Sequence, residues 1–146
     1  MTNSSNLIDS LEVYVLNNPD DVKPHWVSHF IVPTANELLI KIKNKDGNSG
    51  FGLATSYSDI SPIIKPFSNG LQDFIIGQDP FCPEKIYESI FKLTDTRISS
   101  EKGWSKEALI RISAALDIAC WDLMGKSSNI PLYKLFGGYR NKIPVY

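Results

Sequence analysis

The sequence predicts an α+β fold, in which a three-stranded antiparallel meander precedes a bundle of helices. In the first third of the chain, apolar side chains recur at every second position, which is typical of strands. After Ser58 they recur every three or four positions, which is typical of helices. Because the strands come first and do not alternate with helices, the pattern favours α+β over a parallel α/β sheet.

Three segments carry the strand pattern. Residues 8–16 alternate, with Leu11, Val13 and Val15 on one face. Residues 38–43 alternate between aliphatic and mixed positions, which predicts a second strand with one wet face. Asp46-Gly47 has the composition of a hairpin turn, so residues 51–55 are predicted to return as the third strand.

Residues 17–35 follow neither period. They contain three prolines, two aromatic side chains and both histidines of the chain. This composition predicts a long loop whose side chains could contact a ligand.

The helical half begins with two short segments, at 62–67 and 71–76, the second ended by Gly77. Pro83 suits the first position of a third helix. Residues 131–136 are predicted to form a last short helix that ends at Gly137.

The strongest helical pattern spans residues 105–126. One apolar face consists of Leu109, Ile112, Leu116, Ala119 and Leu123, and a second consists of Ile110, Ala114, Ile118 and Trp121. Two apolar faces predict a helix that is covered on both sides.

Composition excludes several classes of partner. The 146 residues carry 15 basic and 16 acidic side chains, a net charge of -1, so we expect neither nucleic acid nor a membrane surface as partner. Residues 1–10 lack a basic region followed by an apolar stretch, so we expect no secretory signal, and no apolar run in this sequence is long enough to span a bilayer. Cys82 and Cys120 lack metal-ligand spacing, and we expect buried thiols in a reducing cytoplasm rather than a disulfide.

Other motifs have structural explanations. His25 and His29 have the spacing of a helical metal pair, but Pro24 precedes them and no third ligand is suitably spaced. Asp117 and Asp122 could be paired acids, although on an apolar helix we expect them to bond the backbone or an arginine such as Arg111 or Arg140. Ser-x-x-Lys at 89–92 lacks companion motifs, and GNSGFG is a hairpin turn rather than a phosphate loop.

The stretch ALDIACWDLMGKSSNIPLYKLFGG, residues 115–138, resembles the end of the N-terminal domain in the mandelate racemase and muconate lactonizing enzyme branch of the enolase superfamily. GQDPFCPEKIYESIF resembles the turn into that domain's third helix. Two departures are Cys120, where Leu or Ala is usual, and GFGLAT in place of Gly-Trp-Gly-Glu at the end of the third strand.

The resemblance implies an enolase N-terminal-domain-like fold that caps a (β/α)7β barrel. Residues 1–136 would be the capping domain, and 137–146 the linker and first strand of an absent or truncated barrel, with Ile143 to Tyr146 as that strand. Family members remove the proton α to a carboxylate, with Mg²⁺ held by three barrel carboxylates and Lys or His as base. The resemblance places none of these groups in this chain, so we expect no catalytic residue and no metal ligand here.

The resemblance further implies that residues 17–35 and about 54–60 close over the barrel mouth and select the substrate. The candidate substrate-binding residues are His25, Trp26, His29, Phe30 and Tyr57. Alternatively, Trp26 and Phe30 anchor the loop on the core, and Tyr57 lies on the surface.

Two functional hypotheses follow. The first is the capping lobe of a Mg²⁺-dependent enzyme, either an acid-sugar dehydratase or a racemase or cycloisomerase, with a small carboxylate as substrate. The polar, histidine-bearing loop favours the acid sugar. The second is a stand-alone module that binds a partner or oligomerises. A capping lobe should expose apolar surface around the long helix and the last short helix, and should therefore form homo-oligomers or aggregate. A stand-alone domain should have that surface polar or closed.

Overall fold

The computed structural model describes residues 5–17, 23–32, 36–140 and 142–145. In these ranges the strands are β1 (Ile8–Leu16), β2 (His25–Val27), β3 (Phe30–Val32), β4 (Asn36–Asn44) and β5 (Ser49–Ser56). The helices are α1 (Ser61–Ser68), α2 (Pro83–Lys92), α3 (Arg97–Lys102), α4 (Lys106–Ser127) and α5 (Leu132–Leu135). The α+β prediction is confirmed, with the main sheet preceding all of these helices.

The main sheet has the order β1-β4-β5, and both pairs of strands are antiparallel. Alternation along β4 turns Leu38, Ile40 and Ile42 inward, and all three are fully buried. The predicted meander is therefore confirmed, with the apolar face of β4 in the core. On the predicted apolar face of β1, Leu11 and Val13 are partly buried and Val15 is 43% exposed.

The predicted loop over residues 17–35 is in part a second, two-stranded sheet. β2 and β3 pair around the two-residue turn Ser28-His29, with Trp26 opposite Ile31. The loop prediction was wrong here because three-residue strands are too short for a period of two to be recognised.

Helix α4 covers the inner face of the main sheet. Its first turn is capped by Ser105, whose side chain accepts a hydrogen bond of 3.1 Å from the Ala108 backbone N–H. The predicted inward face is fully buried, and it consists of Leu109, Ile112, Leu116, Ala119 and Leu123.

Two glycines of β5 set the distance between the sheet and α4. A Cβ atom on Gly50 would lie 1.9 Å from the carbonyl oxygen of Ala119, and one on Gly52 would lie 1.9 Å from that of Ala115. Only glycine at both positions permits this contact. The two glycines of GFGLAT, Gly50 and Gly52, therefore allow α4 to pack directly against the backbone of β5.

The smaller helices agree with the sequence patterns with two exceptions. Residues 71–74 form a 3₁₀ turn rather than an α-helix. Helix α3 was not predicted, since its six residues are too few to show a helical period. It is defined by its ends, where Thr96 accepts a hydrogen bond from the Ser99 backbone N–H and Gly103 takes a φ of 65°.

The predicted strand at residues 143–146 is not observed. Residues 142–145 have no regular secondary structure, and Tyr146 lies outside the described residues. Ile143 and Val145 are exposed, and no described strand pairs with them. A strand requires a hydrogen-bonding neighbour, and the described part of this chain offers none at that point.

The two thiols differ in their surroundings. Cys120 is fully buried on α4, but Cys82 is exposed at the start of α2, so the prediction of two buried thiols was wrong for Cys82. Neither cysteine is in a disulfide. None of the described helices is long and apolar enough to cross a bilayer.

Candidate functional site

Two connections leave the main sheet at the same end. Leu16, the last residue of β1, pairs with Glu37, and Asn36, the first residue of β4, pairs with Ser56 at the end of β5. The segment after β1 and the segment after β5 therefore begin at the same end of the sheet, on either side of β4. These are the two loops that, by the family resemblance, were expected to close over the barrel mouth.

Hydrogen bonds hold the connection after β5 in a defined shape. The side-chain amide of Asn36 donates to the carbonyl oxygen of Ser58 at 3.0 Å, which joins this connection to the start of β4. The Ser56 hydroxyl donates to the Asp59 carbonyl oxygen at 3.1 Å. The Asp59 carboxylate accepts from the Ser61 backbone N–H at 3.0 Å and from the Ser61 hydroxyl at 2.8 Å. These bonds lower the pKa of Asp59, so this turn is stabilised by an ionised carboxylate.

Three of the five candidate substrate-binding side chains are described, and all three are exposed. Trp26 is 75% exposed on β2, which excludes its alternative role as an anchor on the core. His29 lies at the tip of the β2–β3 hairpin. Tyr57, directly after β5, is 47% exposed.

The other two candidates are described only in their backbone. His25 begins β2 and Phe30 begins β3, and their side chains lie outside the described residues. The hairpin thus brings four of the five candidates onto one small element, while Tyr57 leaves the main sheet at the same end.

The described residues do not form a metal site. His25 lies in a strand and His29 in a turn, so the pair does not have helical geometry. No three His, Cys, Asp or Glu side chains come together among the described residues. The chemistry of a magnesium site, which needs several oxygen ligands, does not fit this part of the chain.

The two acidic residues on α4 have structural contacts. The Asp122 carboxylate accepts from the Phe51 backbone N–H at 2.9 Å and from Lys126 Nζ at 2.5 Å. The predicted backbone contact is confirmed, but the cation is Lys126 and not an arginine. Arg111 instead donates to the Thr55 carbonyl oxygen and pairs with Glu107.

Asp117 lies half-buried one turn before Trp121. Burial raises the pKa of its carboxyl, while a hydrogen bond with the Trp121 side chain opposes the rise. Nothing in this arrangement pairs Asp117 with Asp122 as an acid and a base.

An apolar surface remains open on the flank of α4 that lies beside the edge strand β5. We call it the α4–α5 face; it consists of Phe51, Ile118, Trp121, Leu132 and Phe136, which line a groove of about 550 Å³. Ile118 is 54% and Phe136 62% exposed, and the rings of Trp121 and Phe136 lie 4.8 Å apart. The expectation that α4 is covered on both sides was therefore wrong for the described residues.

Phe51 was not predicted to belong to this surface. It lies on the edge strand β5, and Lys126 Nζ lies 4.6 Å from the centre of its ring. The signal in the sequence was the position of Phe51 between Gly50 and Gly52. The two glycines let α4 approach β5 closely, and the Phe51 ring lies at that edge of the sheet.

Comparison with known proteins identifies the family. The family model described as mandelate racemase / muconate lactonizing enzyme, N-terminal domain, matches residues 10–137. The chain is 33% identical to the L-Ala-D/L-Glu epimerase of Clostridium acetobutylicum over 126 residues, which are 83% of this chain and 32% of that protein. It is 30% identical to a D-galactonate dehydratase family member from Enterococcus gallinarum over 114 residues, 76% of this chain and 26% of that protein.

This chain is also similar in structure to a solved protein. A racemase from Streptomyces coelicolor with bound magnesium superimposes with a TM-score of 0.76 at 28% identity, covering 96% of this chain and 38% of that one. The chain thus spans about a quarter to a third of the length of the curated relatives named above.

Proposed function

Because this chain belongs to the mandelate racemase / muconate lactonizing enzyme N-terminal domain family, we propose that it is the capping and specificity lobe of a Mg²⁺-dependent enzyme. That enzyme removes the proton α to a carboxylate. In this proposal a barrel domain outside residues 1–136 supplies the metal ligands and the base, and the lobe is not catalytic by itself.

The single observation that carries the proposal is the position of the two loops. The β2–β3 hairpin and the turn after β5 leave the main sheet at one end, and the bond from Asn36 to Ser58 ties the turn to the start of β4. A lid requires exposed side chains on a rigid base. Trp26, His29 and Tyr57 have that exposure, and the main sheet with α4 is the base.

The α4–α5 face supports the same proposal. In a stand-alone module we would expect this surface to be buried or to carry polar side chains. A contiguous exposed apolar patch instead marks an interaction site. We propose that this face packs against the barrel domain, with Trp121 and Phe136 as the aromatic anchors of that contact.

Magnesium would contribute positive charge at the substrate carboxylate oxygens, where negative charge develops when the proton is lost. The described residues provide no ligand set for it. Their proposed contribution is to exclude water from the barrel mouth and to contact the end of the substrate far from the reacting carbon.

For the substrate we propose a hydroxylated carboxylate of the acid-sugar type. His29 at the hairpin tip can donate or accept a hydrogen bond with a sugar hydroxyl. The relatives include an epimerase and a dehydratase family member at similar identity, so the reaction class is not distinguished by similarity. We propose that the protein is cytoplasmic, because both of its cysteines are free thiols.

The test uses the complete reading frame that contains these residues. Exchange of the α proton for deuterium is followed by NMR in D₂O over a panel of acid sugars and dipeptides, with magnesium and with a chelator. We expect magnesium-dependent exchange with acid sugars. We also expect Trp26→Ala and His29→Ala to lower kcat/KM by about tenfold or more for the best substrate, since each removes a contact to it.

The matched control is Lys45→Ala in the β4–β5 turn, at the opposite end of the main sheet. It should leave kcat/KM unchanged. Two results contradict the proposal: a reading frame without downstream strands that bear an Asp/Glu/Glu set, or hairpin variants that behave like Lys45→Ala on every substrate.

A further inference from the structure

The outer edge of β5 pairs with no strand among the described residues, and side chains of α4 bond its backbone instead. Near the start of β5, the Asp122 carboxylate accepts from the Phe51 backbone N–H at 2.9 Å. Near its end, Arg111 donates through Nη1 to the carbonyl oxygen of Thr55, the next-to-last residue of the strand. Helix α4 thus contacts both ends of this edge, and Arg111 contacts the end that leads to Tyr57.

The orientation of Arg111 is fixed by its own helix. Glu107, one turn earlier on α4, accepts from Arg111 Nε at 3.1 Å and from Nη2 at 2.8 Å, both on the same carboxylate oxygen. Because the guanidinium is planar and rigid, this ion pair leaves Nη1 directed at the Thr55 carbonyl oxygen. The Arg111 side chain is 32% exposed, so most of it is shielded from water.

The turn after β5 is attached to three different elements. Its middle is bonded to β4, where Asn36 donates to the Ser58 carbonyl oxygen at 3.0 Å. Its end is bonded to the start of α1, where the Asp59 carboxylate accepts from the Ser61 backbone N–H at 3.0 Å. Arg111 of α4 provides the attachment at its beginning.

The space beside Arg111 is too small for a substrate. Arg111, Ser58 and Asp59 line a polar hollow of about 60 Å³. Water fits in this volume, but ligand pockets are several times larger. The position of Arg111 therefore suits it to hold the turn rather than to bind a sugar acid itself.

We propose that Arg111 is a positioning residue for substrate recognition, because its bond to the Thr55 carbonyl oxygen fixes the direction in which Tyr57 leaves the sheet. This inference rests on the proposed function, in which the turn after β5 covers the substrate. Without Arg111, the end of β5 is bonded to β4 on one side only, and Tyr57, two residues after Thr55, can shift. A displacement of about 1 Å at a substrate contact can lower activity by as much as about a hundredfold.

The test variant is Arg111→Met in the complete reading frame, which keeps the aliphatic stem and removes the donors. We expect kcat/KM for the best acid sugar to fall by about tenfold. We also expect the backbone amides of residues 56–60 to exchange with solvent about tenfold faster or more, because the end of the strand opens more readily. Circular dichroism and thermal unfolding establish that the variant is folded.

The matched control is Arg97→Met on α3. Arg97 pairs with Glu101 in the same i,i+4 geometry, at 2.6 Å, but its side chain is 90% exposed. Loss of this ion pair should leave both kcat/KM and the exchange of residues 56–60 unchanged.

A double-mutant cycle separates positioning from a general structural role. Tyr57→Ala should lower kcat/KM by about tenfold because it removes the substrate contact. If Arg111 acts through Tyr57, Arg111→Met should cause little further loss when it is combined with Tyr57→Ala. A general loss of structure would instead add to the effect of Tyr57→Ala.

Two results overturn the inference while the proposed function stands. In the first, Tyr57→Ala lowers kcat/KM but Arg111→Met behaves like Arg97→Met in turnover and in amide exchange. In the second, the losses caused by Tyr57→Ala and Arg111→Met are additive. Failure of the proposed function is recognised separately, since the parent enzyme would then show no magnesium-dependent exchange of the α proton.

Discussion

Helix α4 has two apolar faces of similar composition, of which one is buried and the other is largely exposed. The face that includes Leu116 is fully buried on the main sheet, whereas Ile118, two residues later, is 54% exposed. The buried face meets strand backbone at Gly50 and Gly52, but no described element fills the groove on the other side. Apolar periodicity thus shows that a helix face is suited to burial, but it does not show whether the same chain supplies the residues that bury it.

The largest effect is expected where α4 touches β5. Gly52→Val would place side-chain atoms where the Ala115 carbonyl oxygen now lies, so the helix must move off the sheet. We expect a loss of more than about 4 kcal/mol in the free energy of unfolding, measured by urea denaturation. Ser49→Val on the same strand, directed to the other face, is the control and should change stability little. Equal stability of the two variants would refute the close contact.

A large difference is also expected between the two faces of α4 themselves. Leu116→Ala should cost about 2–5 kcal/mol because it leaves a cavity in the core. Ile118→Ala should cost less than about 1 kcal/mol in this chain, since the side chain is already more than half in water. Calorimetric Tm values provide the comparison. A similar decrease in Tm for both variants would show that the α4–α5 face, which contains Ile118, is covered.

A smaller effect is expected at the edge of the sheet. Asp122→Ala removes the acceptor of the Phe51 backbone N–H and should cost about 1–2 kcal/mol, because this bond joins α4 to the edge strand. Lys126→Ala removes the partly exposed ion pair and the contact of its ammonium with the Phe51 ring, and it should cost less than about 1 kcal/mol. Hydrogen exchange of the Phe51 amide should rise in the first variant and not in the second. The reverse order would show that the ion pair is the stabilising contact.

The smallest effect is expected at Asp117, next to the open groove. Burial raises the pKa of its carboxyl above the ordinary 3.8, so the folded state binds this proton more tightly than the unfolded chain does. The contribution to stability is then complete below pH 3.8 and is lost as pH rises through the folded-state pKa. Asp117→Asn should remove this loss, so its stability relative to the parent should increase as pH rises above about 4. Urea midpoints measured from acidic to neutral pH test this, and a constant difference between the two proteins would rule it out.

The regular elements were predictable because their signals are local. Leu38, Ile40 and Ile42 needed only the period of two, and the stripe through Leu109 and Leu123 needed only the helical period. The β2–β3 hairpin and α3 were missed because three-residue strands and a six-residue helix are shorter than the periods that would reveal them.

The sequence indicated which segments carry the candidate substrate-binding residues, but it did not indicate how those segments are arranged. The composition of residues 17–35 indicated contact side chains, and the structure describes Trp26 and His29 as exposed on one hairpin. That the hairpin and Tyr57 leave the same end of the sheet depends on the strand order and register. The part that Phe51 has in the α4–α5 face depends on how closely α4 approaches β5.

The amino-acid order alone determined which segments become strands and helices and which family the chain resembles, because periodicity, caps and motif spacing act over a few neighbouring residues. Only the tertiary structure decided which face of α4 is buried, which cation contacts Asp122 and which side chains line the α4–α5 face. Those outcomes depend on contacts between residues that are distant in the chain, where the space, charge and hydrogen-bonding groups offered by one segment determine what another can do.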